Sequence, residues 1–471
     1  MASEVLNETT VDEEALQGFV EGVRGNVLRP SDPGYDDARA IWNGLIDRKP
    51  ALIVQPTGAA DVVDAVNFAR EHALLLSIKG GAHNVAGNAV NDGGLVIDLS
   101  RMRGIRVDPS KKTVRAEGGV TWGDLDRETQ LFGLAVPGGV VSTTGIAGLT
   151  LHGGAGHLRR KHGLSIDNLL SVDIVTADGE LRYASADEND DLFWAVRGAG
   201  SNFGVVTSFE FQGHDVGPMV MVGAVFYPAE DSQKVVRQWR DYVAQGPDEL
   251  SSIVLLWSVP PADPFPPEHH GKPACVVAAA YAGSVEDGEP VIQPLREFAE
   301  PLVDASGPWP WVGLQSGFDG LFPPGQFHYW KSRSLAELTD EAVDEIADWA
   351  TRRPTPLTDL IIWHQGGAMS RVGEADTAYG GRDAEFLVSG EVNWTDPAQN
   401  DEGVAYGREF WAAMEKYSTG GLYLNFAGLG EEKEELVKAG YAGNYERLAE
   451  LKAKYDPSNL FRMNPNITPA G

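Results

Sequence analysis

Cysteine is almost absent: Cys275 is the only one in 471 residues. A single thiol excludes an intramolecular disulfide and a cysteine-based zinc site. No long uninterrupted apolar run occurs, so no transmembrane helix is expected. Basic residues are few, 38 Lys and Arg against 68 Asp and Glu, for a net charge of −30. Such a surface repels phosphate backbones and anionic lipid, so neither nucleic acid nor membrane is expected as a partner. Internal repeats and low-complexity tracts are also missing. The stretch MASEVLNETTVDEEAL lacks the basic-then-apolar pattern of a signal peptide, and the expected location is the cytoplasm. The acid is spread along the chain rather than gathered in a tail. That dispersal is found in proteins of high-salt cytoplasm, where screening offsets self-repulsion, and equally in ordinary acidic enzymes.

A chain of this length exceeds one ordinary core, so two domains are expected. Residues 1–30 read as a helix, with Asp12, Glu13 and Glu14 in the first turn where the helix dipole favours acid. Residues 51–54 form a short strand, and residues 60–72 an amphipathic helix with Val62, Val63, Ala65, Val66 and Phe68 on its apolar face. The stretch LSIKGGAHNVAGNAVNDGGLVIDLS follows. A strand ends at Ile78, a turn of Lys79, Gly80, Gly81 and Ala82 delivers His83, and a second apolar run spans residues 94–99. Glycines let backbone N–H groups approach a ligand closely. A histidine at the tip of such a turn is poorly placed for a core, and is either a plain turn residue or a chemical one.

Residues 104–118 alternate as strands, and residues 121–132 read as a helix. The segment AVPGGVVSTTGIAGLTLHGGAGHLRRKHGLSIDN is the most glycine-dense of the chain. No amphipathic period survives so many glycines, so it is expected to be mainly loop held by something it wraps. A strand over residues 170–176 comes next, then a helix, a glycine-rich turn and a strand in DLFWAVRGAGSNFGVVTSFEFQ. From about residue 213 glycine thins out. Strands at 219–226 and 276–282 and helices at 232–245, 285–298 and 339–351 point to a second α+β unit ending near residue 429. Trp309 and Trp311, set among prolines, read as exposed, either interface or pocket wall. The last stretch is a helix stopped at Asp456-Pro457, with an extended tail.

Four motifs are specific when taken in order: IKGGAHNVAG; PGGVVSTTGIAGLTL with GGAGHLRRKHGLSIDN; DLFWAVRGAGSNFGVVT; and YERLAELKAKYDPSNLFRMNPNI. Together they resemble the FAD-linked oxidases of the vanillyl-alcohol oxidase superfamily, in the berberine-bridge-enzyme-like branch, over most of the chain. The resemblance implies an α+β fold: a two-part FAD-binding domain, residues 1–212 and 430–471, with an inserted α+β substrate domain, residues 213–429, built as an antiparallel sheet with helices. It implies FAD, its pyrophosphate on bare glycine-turn amides, a small-molecule substrate, and O2 as electron acceptor. It leaves the oligomeric state open.

The positions matched to the cofactor are Lys79, Gly80, Gly81, Ala82, His83, Asn84, Gly87 and Asn88 in the first motif. In the second they are Pro137, Gly138, Val141, Thr143, Thr144, Gly145, Gly148, Gly153, Gly154, His157 and Leu158. Gly204, Val205 and Val206 follow in the third, and Asn425, Asn464 and Asn466 near the C-terminus. The resemblance makes His83 a covalent tether to the flavin 8α-methyl. Many relatives have a second tether from a cysteine. Val141 stands at that place here, so one covalent link, through His83, is expected. Val85 and Ala155 replace tyrosines that line the pocket in plant relatives, which leaves the pocket wider there or filled from elsewhere. Thr144 stands where residue size governs oxygen access, and its small side chain favours an oxidase over a dehydrogenase.

Hydride transfer from an alcohol to flavin N5 needs a base for the hydroxyl proton, and an amine needs one less urgently. Relatives use the last tyrosine of a Tyr-x-Asn-Tyr motif. Here the motif is Tyr423-Leu424-Asn425-Phe426, and Phe426 cannot accept a proton. Tyr423 and Asn425 still match, and Asn425 is expected to hydrogen-bond flavin or substrate. Leu387, Ser389 and Glu391 share one face of a strand. Glu391 is either a solvated carboxylate on an outer strand or, in a dry pocket, a base with a raised pKa. His364, on an apolar run, is a second candidate, and His152 is expected to face the flavin. His157 and His162 are five apart, which is not helical face spacing, and no metal is expected. Arg159, Arg160 and Lys161 read as a solvated or phosphate-adjacent turn. The expected function is FAD-linked oxidation of a small alcohol, sugar or amine. The other readings are a dehydrogenase using an acceptor other than O2 and a non-catalytic flavin-binding protein on the same fold.

Overall fold

Continuous apolar runs build the first layer. The strands Leu52–Gln55, Leu95–Asp98 and Leu76–Lys79 pair in parallel. Their Leu-Ile-Val and Leu-Val-Ile runs are buried on both faces, as parallel strands are. The helix Ala59–Glu71 covers one face with Val62, Ala65, Val66 and Phe68. The strand Asn26–Leu28 adds antiparallel to Leu52–Gln55. The structure is a computed structural model, and it describes residues 11–262, 265–430 and 434–471.

A second sheet is antiparallel, in the order Ile105–Asp108, Thr113–Glu117, Val205–Gln212, Leu169–Val175, Leu181–Ser185. Along Val205–Gln212 burial alternates, with Phe209 and Phe211 inward and Ser208 and Glu210 outward. The helix Trp122–Thr129 starts at a capping box made by Thr121 and Asp124. The C-terminal helix Tyr445–Tyr455 returns to this layer, sharing a core with Leu192, Trp194 and Phe209 through Leu448 and Tyr455. Lys452 clasps it there. Its Nζ donates to Asn202 O at 2.7 Å and Phe461 O at 2.9 Å and pairs with Asp456 at 2.7 Å, all out of water.

The third sheet is the largest. Its strands run in the order Val303–Asp304, Met219–Pro228, Pro273–Tyr281, Leu250–Ser258, Asp359–His364, Phe386–Trp394, Phe327–Leu335, with Gly307–Pro310 also on Met219–Pro228. All neighbours are antiparallel. The helices Ser232–Val243, Val285–Ile292, Asp340–Thr351 and Asn400–Ala413 pack on one face, around Trp239, Trp349 and Trp394. The other face, with Ile253, Leu255, Trp257, Ile361, Trp363 and Leu387, turns toward the glycine-rich segments. With both faces covered, every residue of Leu250–Ser258 is buried. The fold class is α+β, as expected. No helix among the described residues is long and apolar enough to cross a membrane.

Several local expectations need correction. The first helix is only Glu13–Gly22. Gly25 then runs against the backbone of Gln55, where a Cβ would lie 2.1 Å from the carbonyl oxygen, and the chain becomes a strand. The part of the expected helix over residues 1–10 lies outside the described residues. The glycine-dense segment is not all loop. It contains the helices Ile146–Leu151 and Arg159–His162, which at six and four residues are too short for an amphipathic period to register. Arg159 and Arg160 are buried, not solvated. Arg159 donates to the carbonyls of His364, Gly156 and Ser252, so its charge is solvated by backbone. Trp311 is buried too, and its Nε1 donates to Asp126 at 2.8 Å.

Candidate active site

The turn after Leu76–Lys79 and the turn before Ile146–Leu151 touch backbone to backbone. A Cβ on Gly81 would lie 2.2 Å from Gly145 N, and one on Gly145 would lie 2.3 Å from Gly81 N. No side chain fits between them. A cavity of about 220 Å3 opens beside this contact. Gly80, Gly81, Ala82, His83, Asn84 and Asn88 form one wall, and Val141, Thr144, Gly145 and Gly148 a second. Ile361, Trp363 and Glu391 of the large sheet, Tyr423, Asn425 and Phe426, and Phe461, Met463, Asn464 and Pro465 close the rest. A Cβ at Gly148 would meet nothing within 4 Å, so this backbone faces open space.

His83 projects from the turn because Ala82 takes a left-handed φ of 59°. Its ring stacks on Trp42 with centroids 4.9 Å apart, and Trp42 stacks in turn on His328 at 3.7 Å. His83 Nε2 lies 3.1 Å from Thr143 Oγ1, and Nδ1 lies 3.4 Å from Thr144 Oγ1. Burial, then the nearby His328, lowers the His83 pKa to about 4. At neutral pH the ring is uncharged and one nitrogen carries a free lone pair. His152 lies on the same cavity, its Nε2 2.8 Å from Ser201 Oγ, and burial lowers its pKa to about 4 as well.

Strand parity decides the carboxylate. In the large sheet Trp330, Glu391 and Asp359 are direct register partners across three strands and so share a face. Glu391 lies on an interior strand of the sheet and is 3% exposed, which rules out the solvated outer-strand reading. Ser389 Oγ donates to Glu391 Oε1 at 3.1 Å. Burial pushes the Glu391 carboxyl from 4.5 up to about 8. Asp359 is raised well above its usual range, first by burial and then by Glu391, against the opposing pull of Arg353. Neither Asp359 oxygen has a hydrogen-bond partner. Two dry carboxyls side by side cannot both ionise cheaply, and they titrate as a unit.

The remaining motif residues hold the frame. The Tyr423 hydroxyl oxygen accepts from the N–H groups of Gly154 and Ala155, each at 3.2 Å, and from Asn425 Nδ2 at 2.9 Å. Asn425 Nδ2 also reaches the carbonyls of Leu149 and His152. Both side chains line the cavity while tying down the turn at Gly153 and Gly154, which have φ of 116° and 88°. Phe426 meets Trp330 edge-on at 5.5 Å and forms an apolar wall. The room left by Val85 is filled from elsewhere, since Val85 packs with Trp42, Phe322 and Trp330.

Other expected residues lie off this cavity. His364 is one residue past Trp363, so it points to the opposite face. There it meets Trp239 and Phe386, and its Nε2 lies 3.0 Å from Glu385 and 3.2 Å from Arg160. The structure does not bring it to the cavity as a base. His157 sits edge-on to Trp311, and Leu158 packs with Ala135, Trp311 and Leu314. Lys79 Nζ donates to Ala38 O and neighbours Asp98. Gly87 abuts Ile46, and Gly138 lies under Trp122. The carbonyl of Pro137 accepts from Ser165 Oγ. Gly204 runs against Val175 O, Val205 and Val206 are core, and Asn466 lies beyond the wall. Thr143 reaches the site only through its contact with His83. His162 stacks on His214, and no group of three His, Cys, Asp or Glu side chains among the described residues could hold a metal ion.

Trp42, His328, Trp330, Ser201 and Asp359 had no place in the sequence reading. Trp42 and His328 come from loop and strand far apart and carry no motif. Asp359 did leave a signal, an acid leading the apolar run of residues 360–363. Asp319 is also new: it accepts from Ser142 N at 2.8 Å and Ser142 Oγ at 2.5 Å, tying the segment after the large sheet's edge to the second motif.

The site suits the FAD implied by the motifs. It has side-chain-free glycine backbone, apolar walls, and the polar atoms His152 Nδ1 and Asn464 Oδ1 buried without partners. Known proteins agree. The family described as FAD binding domain matches residues 50–185, and the family described as berberine and berberine like matches residues 422–468. An FAD-linked oxidoreductase of Dictyostelium discoideum is 33% identical over 99% of this chain and 98% of its own. The (R)-6-hydroxynicotine oxidase of Paenarthrobacter nicotinovorans is 32% identical over 95% of this chain and 98% of its own. The crystal structure of 6-hydroxy-D-nicotine oxidase from Arthrobacter nicotinovorans superposes with a TM-score of 0.85 at 31% identity, covering 95% of this chain and 98% of that one.

Proposed function

The chain belongs to the berberine-bridge-enzyme-like FAD-linked oxidoreductases, and from that premise we propose that it is an oxidase with one covalent flavin link, through His83. Its substrate is a small amine or alcohol and its electron acceptor is O2. The observation that carries this reading is the buried Glu391 carboxyl on the same cavity as His83, with the Asp359 carboxyl as its register partner on the neighbouring strand. Bound FAD supplies the hydride acceptor. His83, held neutral by burial, offers a nitrogen lone pair for the link, and Thr143 and Thr144 orient its ring. Val141 on the cavity wall, with Cys275 buried in the large sheet, supports a single link.

Glu391 is the base. In its ionised form it takes the proton from the substrate O–H or N–H, and Asp359 keeps the proton the pair retains. Burial of both carboxyls sets the working pKa near neutrality, where a base both ionises and pulls. Trp330, Trp363 and Phe426 exclude water from the reacting carbon. The likeness to a 6-hydroxynicotine oxidase supports an amine among the substrates, and the small Thr144 supports O2.

The test is anaerobic mixing of the yellow holoenzyme with a panel of amines, alcohols and sugars, then admission of air. Bleaching by a panel member, recovery of colour within seconds in air and formation of H2O2 are expected. Bleaching followed by recovery over many minutes would replace the oxidase by a dehydrogenase. No bleaching by any compound would leave a flavin-binding protein without this activity.

A further inference from the structure

A second cavity, of about 380 Å3, abuts the first. Val140, Ile253, Leu255, Phe318 and Trp363 stand on both walls. Its floor is the cavity-facing side of the large sheet, and the register explains the hollow. Ala224, Ala278, Ile253 and Trp363 form one row across four strands, and two small residues there leave a dip. The next row, Phe226, Val276, Leu255 and Ile361, raises one rim. Trp257, Trp309 and Phe318 supply further aromatic wall.

The polar groups on this wall are few and idle. His157 Nε2, Ser251 Oγ, Trp257 Nε1 and Trp363 Nε1 are buried without a partner, on residues no more than 8% exposed. An indole N–H is a donor only, so two of the four can serve nothing but an acceptor. Arg159 is the one charged side chain on the wall among the described residues, and backbone carbonyls already take its guanidinium. Such a chamber suits a flat apolar body carrying one or two acceptors. It suits a sugar poorly, because each sugar unit brings several hydroxyls that would be buried unpaired.

We propose that the second cavity holds the distal half of an elongated aromatic substrate that carries a carbonyl or ether acceptor, while its reacting carbon lies beside Glu391 in the first. This rests on the oxidase reading for the reacting end only. The occupied class is a biaryl or fused-ring amine or alcohol, and oligosaccharides are excluded.

Binding and turnover test it separately on the holoenzyme. The binding probes are 4-acetylbiphenyl, biphenyl, acetophenone and cellobiose, followed by tryptophan fluorescence. 4-Acetylbiphenyl is expected to bind about tenfold or more tighter than acetophenone, with no cellobiose binding. Ala278→Leu, or the bulkier Ala278→Trp, should weaken 4-acetylbiphenyl about tenfold by filling the dip. Trp363→Phe should weaken 4-acetylbiphenyl more than biphenyl, because only the former uses the N–H. For turnover, 4-phenylbenzylamine and 4-phenylbenzyl alcohol should show higher kcat/KM than their one-ring parents, and Ala278→Leu should reduce that ratio. Equal binding of the one-ring and two-ring probes, indifference to both Ala278 variants, or tighter binding of cellobiose would overturn the proposal. If 4-acetylbiphenyl binds as described and no compound bleaches the flavin, the chamber stands and the oxidase reading fails. Bleaching by short substrates with no dependence on length gives the reverse.

Discussion

At the scale of single residues, His83 and Glu391 do opposite things with the same physics. Burial disfavours charge, so it leaves the imidazole neutral at pH 7 and the carboxyl largely protonated. His83→Ala should bind FAD without a bond, so acid precipitation of the variant should leave a colourless pellet. A pellet that stays yellow would place the link elsewhere. Glu391→Gln should lower kcat/KM about 10²- to 10³-fold and abolish its rise toward pH 8. The same group affects stability. Its folded pKa of about 8 exceeds the ordinary 4.5, so between those values the folded chain binds more protons than the unfolded one. The stability it contributes is complete below pH 4.5 and is lost as the pH rises through 8. Between pH 5 and 8 the Tm of the wild type should therefore fall more steeply than that of Glu391→Gln. Parallel Tm curves would mean that Glu391 is already ionised when folded.

Elements are positioned by close approach and by one buried clasp. Gly81→Ala places a methyl where Gly145 N stands 2.2 Å away, so the two turns must part. The expected result is a folded protein, judged by circular dichroism, that no longer retains flavin; normal flavin content would show that the contact is dispensable. Lys452→Met strands Asp456 and two carbonyls in a dry interior, at a cost of about 3–5 kcal/mol in denaturant unfolding. Because Phe461, Met463 and Asn464 lie on the cavity just beyond this clasp, flavin loss should accompany the drop in stability. A loss under about 1 kcal/mol would mean that the helix is held by its apolar contacts alone. Periodic elements were readable: the helix Ala59–Glu71 appears within a residue of the expected 60–72, and Leu387, Ser389 and Glu391 lie together on the strand Phe386–Trp394, because one amphipathic face or one parity dictates them. The helix Ile146–Leu151 was not readable, because six residues make fewer than two turns and leave too short a stripe to find.

At the scale of the whole molecule, the net charge of −30 opposes compaction. Raising KCl from about 0.1 M to about 1 M shortens the Debye length from ~10 Å to ~3 Å and should raise Tm. A flat or falling Tm would show that local ion pairs already balance the excess. The cavity exists only because the C-terminal segment returns and the large sheet turns its apolar face toward the glycine turns. The resemblance carried by the motifs implies the α+β class and the missing second tether at Val141; the local sequence by itself gives the glycine turns, His83 at a turn tip, and the shared face of Leu387, Ser389 and Glu391. These are properties of neighbours along the chain, set by backbone sterics and by the period of two. Which side of the sheet is dry is a different matter. It separates Glu391 from His364, pairs Glu391 with Asp359, buries Arg159 and Trp311, and hollows the floor at Ala224 and Ala278. Only the tertiary structure decided it, because a pKa and a cavity depend on what arrives from distant segments to exclude water.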